Sequence, residues 1–255
     1  MRYLVLSDVH ANATALDAVL RDAERRAFDA YAFLGDAVGY YPDAEEVVQR
    51  LAALAPAIAL LGNHDELLLN LADGRGDANE AGRSPVVRPI LERQLATLSP
   101  DSVAWLRSLR MHETTDLLEA VHGALADPWQ YLHGLPDAEE NLSLLSRPVC
   151  LVGHTHVPRV LASVEAPGGR RLWRQLMFRD EVGTYRMPPR ARGFVNPGSV
   201  GQPRDGVPLA SYALYDADTR RLQIVRVAFD VMAVQRRVKE AGYPAALATR
   251  LAVGR

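Results

Sequence analysis

The sequence predicts an α/β fold, because short buried strands alternate with helical patterns through the first part of the chain. Three runs are apolar apart from Arg2 at the start of the first, which is typical of strands covered on both faces, and each stops abruptly at polar residues. These runs are residues 2–6, 31–34 and 58–61. The order strand, helix, strand predicts a mainly parallel sheet, so the three polar clusters are expected to meet at its carboxyl edge.

Two helices are predicted between these strands. Asn12 is expected to cap the first, since asparagine is a favoured N-cap residue. Pro42 is expected to open the second, since proline suits the first helical turn. The apolar positions at helical spacing are Leu16, Val19, Leu20 and Ala23 in the first helix and Val47, Val48, Leu51 and Leu54 in the second.

The rest of the chain is richer in strands. After a polar, Gly-rich loop at 73–84, expected to be mobile, helical patterns occupy 86–98 and 101–109. Strands are predicted at 110–115, 117–122, 149–152, 157–164, 193–196, 211–216 and 222–229, the last two joined by a turn at Asp216-Ala217-Asp218. A hairpin-like insertion around 170–186 and closing helices at 232–240 and 244–251 complete the prediction. No repeat or linker divides the sequence, so a single domain over residues 1–255 is expected.

Composition and charge exclude several classes of protein. The 255 residues are 48% hydrophobic, and 29 basic residues nearly balance 31 acidic ones. Such a chain is globular rather than disordered, and it lacks the broadly basic surface with which proteins bind long nucleic acids. A single cysteine, Cys150, excludes an intramolecular disulfide framework and a Cys-rich zinc site. No membrane span and no signal-peptide core are found, so a cytoplasmic protein is expected.

Residues with metal-binding chemistry stand at the ends of the predicted strands. They are Asp8, His10, Asp36, Asn63, His64, His122, His154 and His156. Imidazole nitrogen and carboxylate oxygen suit Zn, Fe, Mn and Ni, and no thiolate competes with them. Any one of these residues alone would more often be a hydrogen-bonded structural residue, but together they favour a metal centre. Two metals about 3.5–4 Å apart can clamp the attacking and leaving oxygens of phosphoryl transfer.

In their order along the chain, these clusters resemble the five sequence blocks of the calcineurin-like metallophosphoesterases. The blocks are Asp8-Val9-His10, Gly35-Asp36, Gly62-Asn63-His64-Asp65, Val121-His122-Gly123 and Gly153-His154-Thr155-His156. Residues 196–204 match a loop near the end of that fold, and residues 35–42 are most similar to its small bacterial and archaeal phosphodiesterase branch. The resemblance implies a four-layer α/β/β/α sandwich, in which two mixed sheets pack face to face with helices outside.

The resemblance also implies a site with two divalent metal ions, bridged by Asp36. The other implied ligands are Asp8, His10 and His156 for one metal and Asn63, His122 and His154 for the second. Manganese is the expected metal, with Fe, Ni and Zn as alternatives. His64 is expected to stabilise the developing charge or to protonate the leaving oxygen, oriented by Asp65 or Asp36. A purely orienting role for His64, without proton transfer, is the alternative.

The expected reaction is hydrolysis of a phosphodiester by in-line attack of a metal-bridging hydroxide. The expected substrate is a small phosphate ester such as a nucleotide, with no membrane and no long nucleic acid as partner. Alternatives are a phosphomonoesterase or protein phosphatase, a dinucleoside polyphosphate hydrolase and, more remotely, a non-catalytic interaction scaffold. Asn12 and Arg204 are candidates for contact with the substrate phosphate. The alternative role of Asn12 is to cap a helix, and that of Arg204 is to form an ion pair with Asp205.

Two groups of aromatic residues are open to two interpretations each. Trp129 and Tyr131 follow the His122 block, where they could stack on a nucleoside base or pack their own loop. The insertion at 170–186 carries Trp173, Phe178 and Tyr185, which predict either a lid or dimer contact or a local hydrophobic cluster. Assembly into a homo-oligomer is therefore left open.

Overall fold

The structure is a computed structural model that describes residues 1–75 and 84–255, and it confirms the predicted sandwich of two mixed sheets flanked by helices. The strands are β1 (Arg2–Leu6), β2 (Ala30–Phe33), β3 (Ile58–Ala59), β4 (His112–Thr114), β5 (Glu119–Val121), β6 (Val149–Leu151), β7 (Arg159–Glu165), β8 (Arg171–Met177), β9 (Val182–Arg186), β10 (Arg192–Asn196), β11 (Ala210–Asp216) and β12 (Arg221–Val227). The helices are α1 (Ala13–Ala23), α2 (Ala44–Ala53), α3 (Asn63–Ala72), α4 (Val87–Leu95), α5 (Pro100–Ser108), α6 (Leu135–Leu142), α7 (Val231–Glu240) and α8 (Ala245–Ala252).

Each sheet combines parallel and antiparallel strands. The first has the order β3-β2-β1-β11-β12-β9, and its β1, β2 and β3 are parallel neighbours, as the βαβ pattern predicts. The second has the order β4-β5-β6-β10-β7-β8, with β5, β6 and β10 parallel. The predicted turn after Asp216 joins β11 to β12 in an antiparallel pair. The carboxyl ends of the parallel strands in both sheets therefore carry the loops that matter for function.

Alternation along β1 shows how the layers are held together. Tyr3 and Val5 project into the core between the two sheets, whereas Leu4 and Leu6 project into the core under the helices. This follows because successive side chains of a strand point to opposite faces. A third, smaller core lies between the second sheet and α6. Among the described residues, no helix has both the length and the apolar surface that crossing a bilayer requires.

The first two helices begin close to the predicted positions. The backbone N–H of Ala15 donates to the side-chain oxygen of Asn12 at 3.0 Å, which confirms the predicted cap of α1. Helix α2 begins at Ala44 rather than at Pro42, with Asp43 at the N-cap position. Tyr40, two residues before Pro42, has a left-handed backbone with φ of +53°, so the chain is still turning where the helix was predicted to start.

The segment at 170–186 is not the predicted hairpin-like insertion. Strand β8 pairs with β7 in the second sheet, whereas β9 pairs with β12 in the first, so the chain crosses from one sheet to the other between them. Phe178 is buried at this crossing and packs in the core between the sheets. The aromatic residues of the segment join different cores, Trp173 beside α6 and Tyr185 between the sheets, and do not form a local cluster.

One further element differs from the sequence-based prediction, and one predicted loop lies mostly outside the described residues. Helix α6 was not predicted, although Pro136 lies in its first turn and the Asp137 carboxylate accepts from the backbone N–H of Gly134 at 3.1 Å, both signals of a helix start. Of the loop predicted at 73–84, residues 76–83 lie outside the described residues.

Candidate metal centre

The predicted ligand residues converge where the two sheets meet. Asp8 and His10 follow β1, Asp36 follows β2, and His122, His154 and His156 follow β5 and β6. The ligand atoms of one group lie within 4.8 Å of one another, as do those of a second group that shares Asp36. The first group is Asp8, His10, Asp36 and His156, and the second is Asp36, His122 and His154, all of them buried. The two groups correspond to the two metal positions that the family resemblance implies.

Asn63 stands beside this pair of groups at the start of α3 and is buried. The backbone N–H of the following residue, His64, donates to the Asp36 Oδ1 at 2.9 Å. This bond fixes the first turn of α3 against the shared carboxylate. It therefore keeps the preceding residue, Asn63, near Asp36, the residue that both groups share, and the prediction of Asn63 as a ligand stays a prediction.

Hydrogen bonds between the loops join the two sheets at the centre. The backbone N–H groups of Asp8 and His10 donate to the carbonyls of Gly35 and Asp36, each at 3.0 Å. The backbone N–H of His154, which belongs to the second sheet, donates to the Asp8 Oδ2 at 3.2 Å. The positions of the ligands are therefore fixed by contacts between neighbouring strand ends rather than within any one loop.

Five of the ligand residues have a left-handed backbone, which non-glycine residues rarely adopt. The φ angles are +54° at Asp8, +51° at His10, +61° at Asp36, +64° at His154 and +58° at His156. Such conformations cost on the order of 1–3 kcal/mol each and persist where the surrounding structure enforces them, typically at functional sites. Their concentration at these residues indicates that the fold is constrained to present the side chains toward one point.

Backbone carbonyls set the tautomer of the four histidines. Each imidazole has one ring nitrogen within hydrogen-bond distance of a carbonyl oxygen, to which it donates its N–H, so in a neutral ring the other nitrogen keeps its lone pair. The pairs are His10 Nδ1 with Val38 at 2.9 Å, His122 Nδ1 with Leu34 at 2.7 Å, His156 Nδ1 with Gln202 at 2.6 Å and His154 Nε2 with Trp129 at 2.9 Å. All four rings thus have one nitrogen prepared to ligate a metal.

The free lone pairs face one another and the carboxylates. His10 Nε2 lies 3.1 Å from His156 Nε2, and His156 Nε2 lies 3.3 Å from Asp8 Oδ1. Asp36 Oδ2 lies 3.5 Å from both His10 Nε2 and His122 Nε2. Acceptors at these distances repel one another unless a cation lies among them.

The buried acceptors therefore fit divalent metal ions. Asp8 Oδ1, Asp36 Oδ2 and His122 Nε2 are buried without a hydrogen-bond partner in the structure, which is costly for polar atoms. Burial opposes a charge on His122, but the neighbouring Asp36 carboxylate outweighs it and raises the pKa of His122 to about 9. The Asp36 carboxylate thus favours positive charge at this position.

Two glycines allow the close approach of these groups. A side chain at Gly62 would collide with the Asp36 Oδ1 and backbone N–H. At Gly39, φ is +94° and a side chain would collide with the Nδ1 of His64. Because only glycine tolerates both this backbone angle and this close contact, Gly39 allows the ring of His64 to lie directly against the backbone.

Comparison with known proteins identifies the family. A model described as the calcineurin-like phosphoesterase superfamily domain matches residues 1–220. The chain belongs to this superfamily. The resemblance inferred from the sequence blocks is thereby confirmed, and so is membership of a superfamily of hydrolases.

Similar proteins come from bacteria and archaea. A metallophosphoesterase from Sphaerobacter thermophilus, known from its crystal structure, is 37% identical, with a TM-score of 0.83 and coverage of 100% of both chains. An uncharacterised protein of Methanocaldococcus jannaschii is 30% identical over 254 residues, which are 98% of this chain and 97% of that protein. A hypothetical protein from Pyrococcus horikoshii OT3 has the same fold, with a TM-score of 0.72 at 20% identity and coverage of 98% and 97%.

Asp65 of this phosphoesterase does not occupy the place predicted for it. Its carboxylate accepts four backbone N–H groups, those of Asp36 at 2.9 Å, Gly62 at 3.1 Å, Ala37 at 2.9 Å and Val38 at 3.1 Å. Both oxygens are therefore used to join the Asp36 loop to the start of α3. This geometry makes Asp65 a positioning residue for Asp36, and it does not support the expected orienting bond from Asp65 to the His64 ring.

His64 lies in contact with the first group of ligands. Its ring centroid is 4.8 Å from that of His10 and 4.7 Å from that of Tyr40, and its Nδ1 is buried without a hydrogen-bond partner. Burial lowers the pKa of His64 to about 4, despite the opposing charge of Asp36. A neutral imidazole has one N–H to donate but no surplus proton, which favours charge stabilisation over proton transfer.

Arg204 reaches the centre, whereas Asn12 is used inside the protein. The guanidinium of Arg204 donates to the Tyr40 hydroxyl at 3.1 Å and to the Gln202 side-chain oxygen at 2.7 Å. The alternative pairing of Arg204 with Asp205 does not occur, because the Asp205 carboxylate pairs with the buried Arg226. Asn12 is fully buried. Its amide oxygen caps α1 and its amide nitrogen donates to the carbonyl of Gly201 at 2.9 Å. These contacts do not support a role for Asn12 in binding the substrate.

Several residues with a place in the site were not singled out as ligands or catalytic groups by sequence reasoning. Tyr131 stacks on His154 with ring centroids 3.8 Å apart, and Trp129 contributes its carbonyl to the same imidazole. Tyr40 lies against His10 and His64, with centroids 4.6 Å and 4.7 Å away. A carbonyl partner leaves no signal in residue type, so only the aromatic character of Tyr40 and Tyr131 beside the motifs pointed toward these roles.

Metal binding is expected to stabilise the phosphoesterase measurably. At free Mn²⁺ of about 100 times the dissociation constant, each site adds about 2.7 kcal/mol to the free energy of unfolding, which raises Tm by about 5–10 °C. In His122→Ala the second group loses a ligand, so the Mn²⁺-dependent rise should fall by about half. His112→Asn, on the exposed side of β4, should retain the full rise. If calorimetry shows that Mn²⁺ raises the Tm of His122→Ala as much as that of the wild type, His122 is excluded as a ligand.

Proposed function

We propose that this phosphoesterase hydrolyses phosphodiester bonds with two divalent metal ions, Mn²⁺ foremost, with Fe, Ni and Zn as alternatives. The observation that carries the proposal is the pair of buried ligand groups that share Asp36. A shared carboxylate between two sets of nitrogen and oxygen ligands is the arrangement of a two-metal hydrolase. The complete ligand set also speaks against the alternative of a non-catalytic scaffold.

The chain would hold the metals with the residues assigned above. Asp8, His10 and His156 form one set, Asn63, His122 and His154 form the other, and Asp36 belongs to both. When bound, two divalent metals lower the pKa of water and neutralise charge on a phosphoryl group. The contribution of the protein is to fix the ligands, through the carbonyl partners of the histidines and the backbone bonds of Asp65.

The remaining residues act on the substrate. The N–H of His64 is proposed to donate to a phosphoryl oxygen as charge develops on it, or to assist the leaving oxygen. Arg204 is proposed to bind a phosphoryl oxygen, because a guanidinium matches phosphate geometry and its present partners, Tyr40 and Gln202, are neutral. Both residues lie against the ring of Tyr40, which is itself 4.6 Å from the imidazole of His10.

A diester is proposed rather than a monoester because residues 35–42 resemble the phosphodiesterase branch. The test compares bis-p-nitrophenyl phosphate with p-nitrophenyl phosphate after reconstitution with Mn²⁺, Ni²⁺, Fe²⁺ or Zn²⁺. We expect the diester to have a kcat/KM at least about tenfold higher with the best metal, a difference of about 1.4 kcal/mol. Asp36→Asn, purified in parallel, controls for contaminating phosphatases. A monoester preference of several orders of magnitude would make the protein a phosphatase instead.

A further inference from the structure

A second arginine lies beside the metal centre and belongs to the C-terminal helix α8. The guanidinium carbon of Arg250 is 5.8 Å from the ring centroid of Tyr40, and that of Arg204 is 5.6 Å from the same centroid. The two cations therefore meet at one aromatic ring. That ring is itself 4.6 Å from the imidazole of His10 and 4.7 Å from that of His64. The arginine pair is thus one ring away from the proposed reaction centre.

Neither positive charge is paired with an acidic side chain. Within residues 1–75 and 84–255, no Asp or Glu carboxylate forms an ion pair with either guanidinium. Arg204 donates to neutral oxygens, and Arg250 Nε donates to a main-chain oxygen of Arg255, the last residue of the sequence, at 2.5 Å. Burial lowers the pKa of Arg250, and the charge of Arg204 lowers it further. Divalent metals bound to the neighbouring ligands would add more positive charge than Asp8 and Asp36 neutralise.

The positions of both arginines are fixed by packing. The backbone N–H of Gly206 donates to the carbonyl of Gly254 at 2.9 Å, which ties the loop of Arg204 to the segment after α8. Tyr40 is held with a left-handed backbone at φ of +53°. Like charges that are brought together this way, beside the proposed phosphoryl-transfer centre, indicate a site for an anion.

We propose that Arg250, together with the hydroxyl of Tyr40 and with Arg204 shared between the two groups, binds a second phosphate group of the substrate. The substrate class is then an ester that carries another phosphate, either in a polyphosphate chain or elsewhere on the same molecule. Arginine provides planar pairs of N–H donors that match phosphate oxygens, and both guanidinium groups retain donors for this use. This inference rests on the proposed function, since it places the first phosphoryl group at the metal centre.

The test is calorimetric binding to Mn²⁺-loaded protein freed of excess metal. The probes are AMP, with one phosphate, and adenosine 5′-(α,β-methylene)diphosphate, with a second phosphonate that resists hydrolysis. We expect the wild type to bind the diphosphate analogue at least about tenfold more tightly than AMP, and Arg250→Gln to reduce this ratio to near one. A third probe, adenosine 3′,5′-bisphosphate, carries its second phosphate elsewhere on the molecule rather than in a polyphosphate chain. If it binds more tightly than the diphosphate analogue, the second phosphate of the substrate is a remote one; if it binds more weakly, the second phosphate belongs to a polyphosphate chain.

Variants and controls separate a specific subsite from a general effect. Arg236→Gln, an exposed arginine of α7, should leave the ratio unchanged. Arg250→Met, which keeps the aliphatic part of the side chain, should lower the ratio as Arg250→Gln does, and it serves if the glutamine variant fails to fold. A wild-type ratio near one for both two-phosphate probes, or equal losses of affinity for all probes in the Arg250 variants, would overturn the proposal.

The outcome is independent of turnover. If the protein hydrolyses no diester with any metal but still prefers the two-phosphate probes through Arg250, the proposed reaction fails and the subsite stands. If it hydrolyses bis-p-nitrophenyl phosphate but the binding ratio is near one, the reaction stands and the subsite fails. The two failures are therefore distinguishable.

Discussion

Asp36→Ala is expected to abolish phosphodiester hydrolysis with metal supplied in excess. Asp36 is the one residue that belongs to both ligand groups, and its Oδ2 lies 3.5 Å from imidazoles of each. Loss of the shared carboxylate removes several kcal/mol of charge stabilisation, so kcat should fall by at least about 1,000-fold. His156→Ala, which removes a ligand of one group only, should also eliminate measurable turnover. Initial rates on bis-p-nitrophenyl phosphate test both variants.

Two further variants show whether the loss comes from the charge of Asp36. Asp36→Asn retains an oxygen that can accept the backbone N–H of His64, so the first turn of α3 stays in place while the negative charge is lost. It should be nearly as inactive as Asp36→Ala. Asp230→Asn, which replaces the N-cap of α7 by an equally good cap far from the ligands, should retain full activity. Retention of wild-type rates by Asp36→Asn would contradict the assignment of a bridging carboxylate.

His64→Ala is expected to lower kcat by about 100- to 1,000-fold, the cost of losing one donor to developing negative charge. The metal content should stay at the wild-type value, because His64 belongs to neither ligand group. A ligand variant such as His156→Ala should lose metal as well as activity. Rates combined with elemental analysis of the same samples separate the two kinds of residue. His112→Gln serves as the histidine control outside the site.

The role of His64 is distinguished by the leaving group. Because burial lowers its pKa to about 4, the ring is neutral at pH 7, and we expect it to donate a hydrogen bond rather than to transfer a proton. The loss in His64→Ala should then be similar for esters with good and with poor leaving groups. A loss confined to the poor leaving group would show that His64 protonates the leaving oxygen. A loss below about twofold for both would leave His64 with an orienting role only.

Much of the fold and the site could be predicted because strand ends carry local signals. Continuous apolar runs such as residues 3–6 have few alternatives to a buried strand, and Asp8 and Asp36 closely follow such runs. Parallel pairing of β1, β2 and β3 then brings these residues to one edge without any knowledge of the second sheet. The second sheet itself came from the family resemblance, because its central pairings, β5 with β6, β6 with β10 and β10 with β7, join segments far apart in sequence.

The parts that were missed depend on contacts across the fold. The carbonyls of Leu34 and Gln202, which set the tautomers of His122 and His156, lie 88 and 46 residues away in sequence from their partners. No pattern of residue types identifies a carbonyl acceptor. The family resemblance implied that Asp65 or Asp36 orients His64, but the Asp65 carboxylate accepts from the backbone of the Asp36 loop. The segment 170–186 resembled a hairpin because its two strands are adjacent in sequence, although they belong to different sheets.

The proposed reaction requires two metal ions that share the carboxylate of Asp36. Electron paramagnetic resonance of the protein loaded with two equivalents of Mn²⁺ detects this sharing, because metals joined by a carboxylate bridge have coupled electron spins. We predict a spin-coupled spectrum in the wild type and its loss in Asp36→Asn. Two bound Mn²⁺ ions with the spectrum of isolated metals in the wild type, or binding of only one Mn²⁺ per chain, would contradict the two-metal centre.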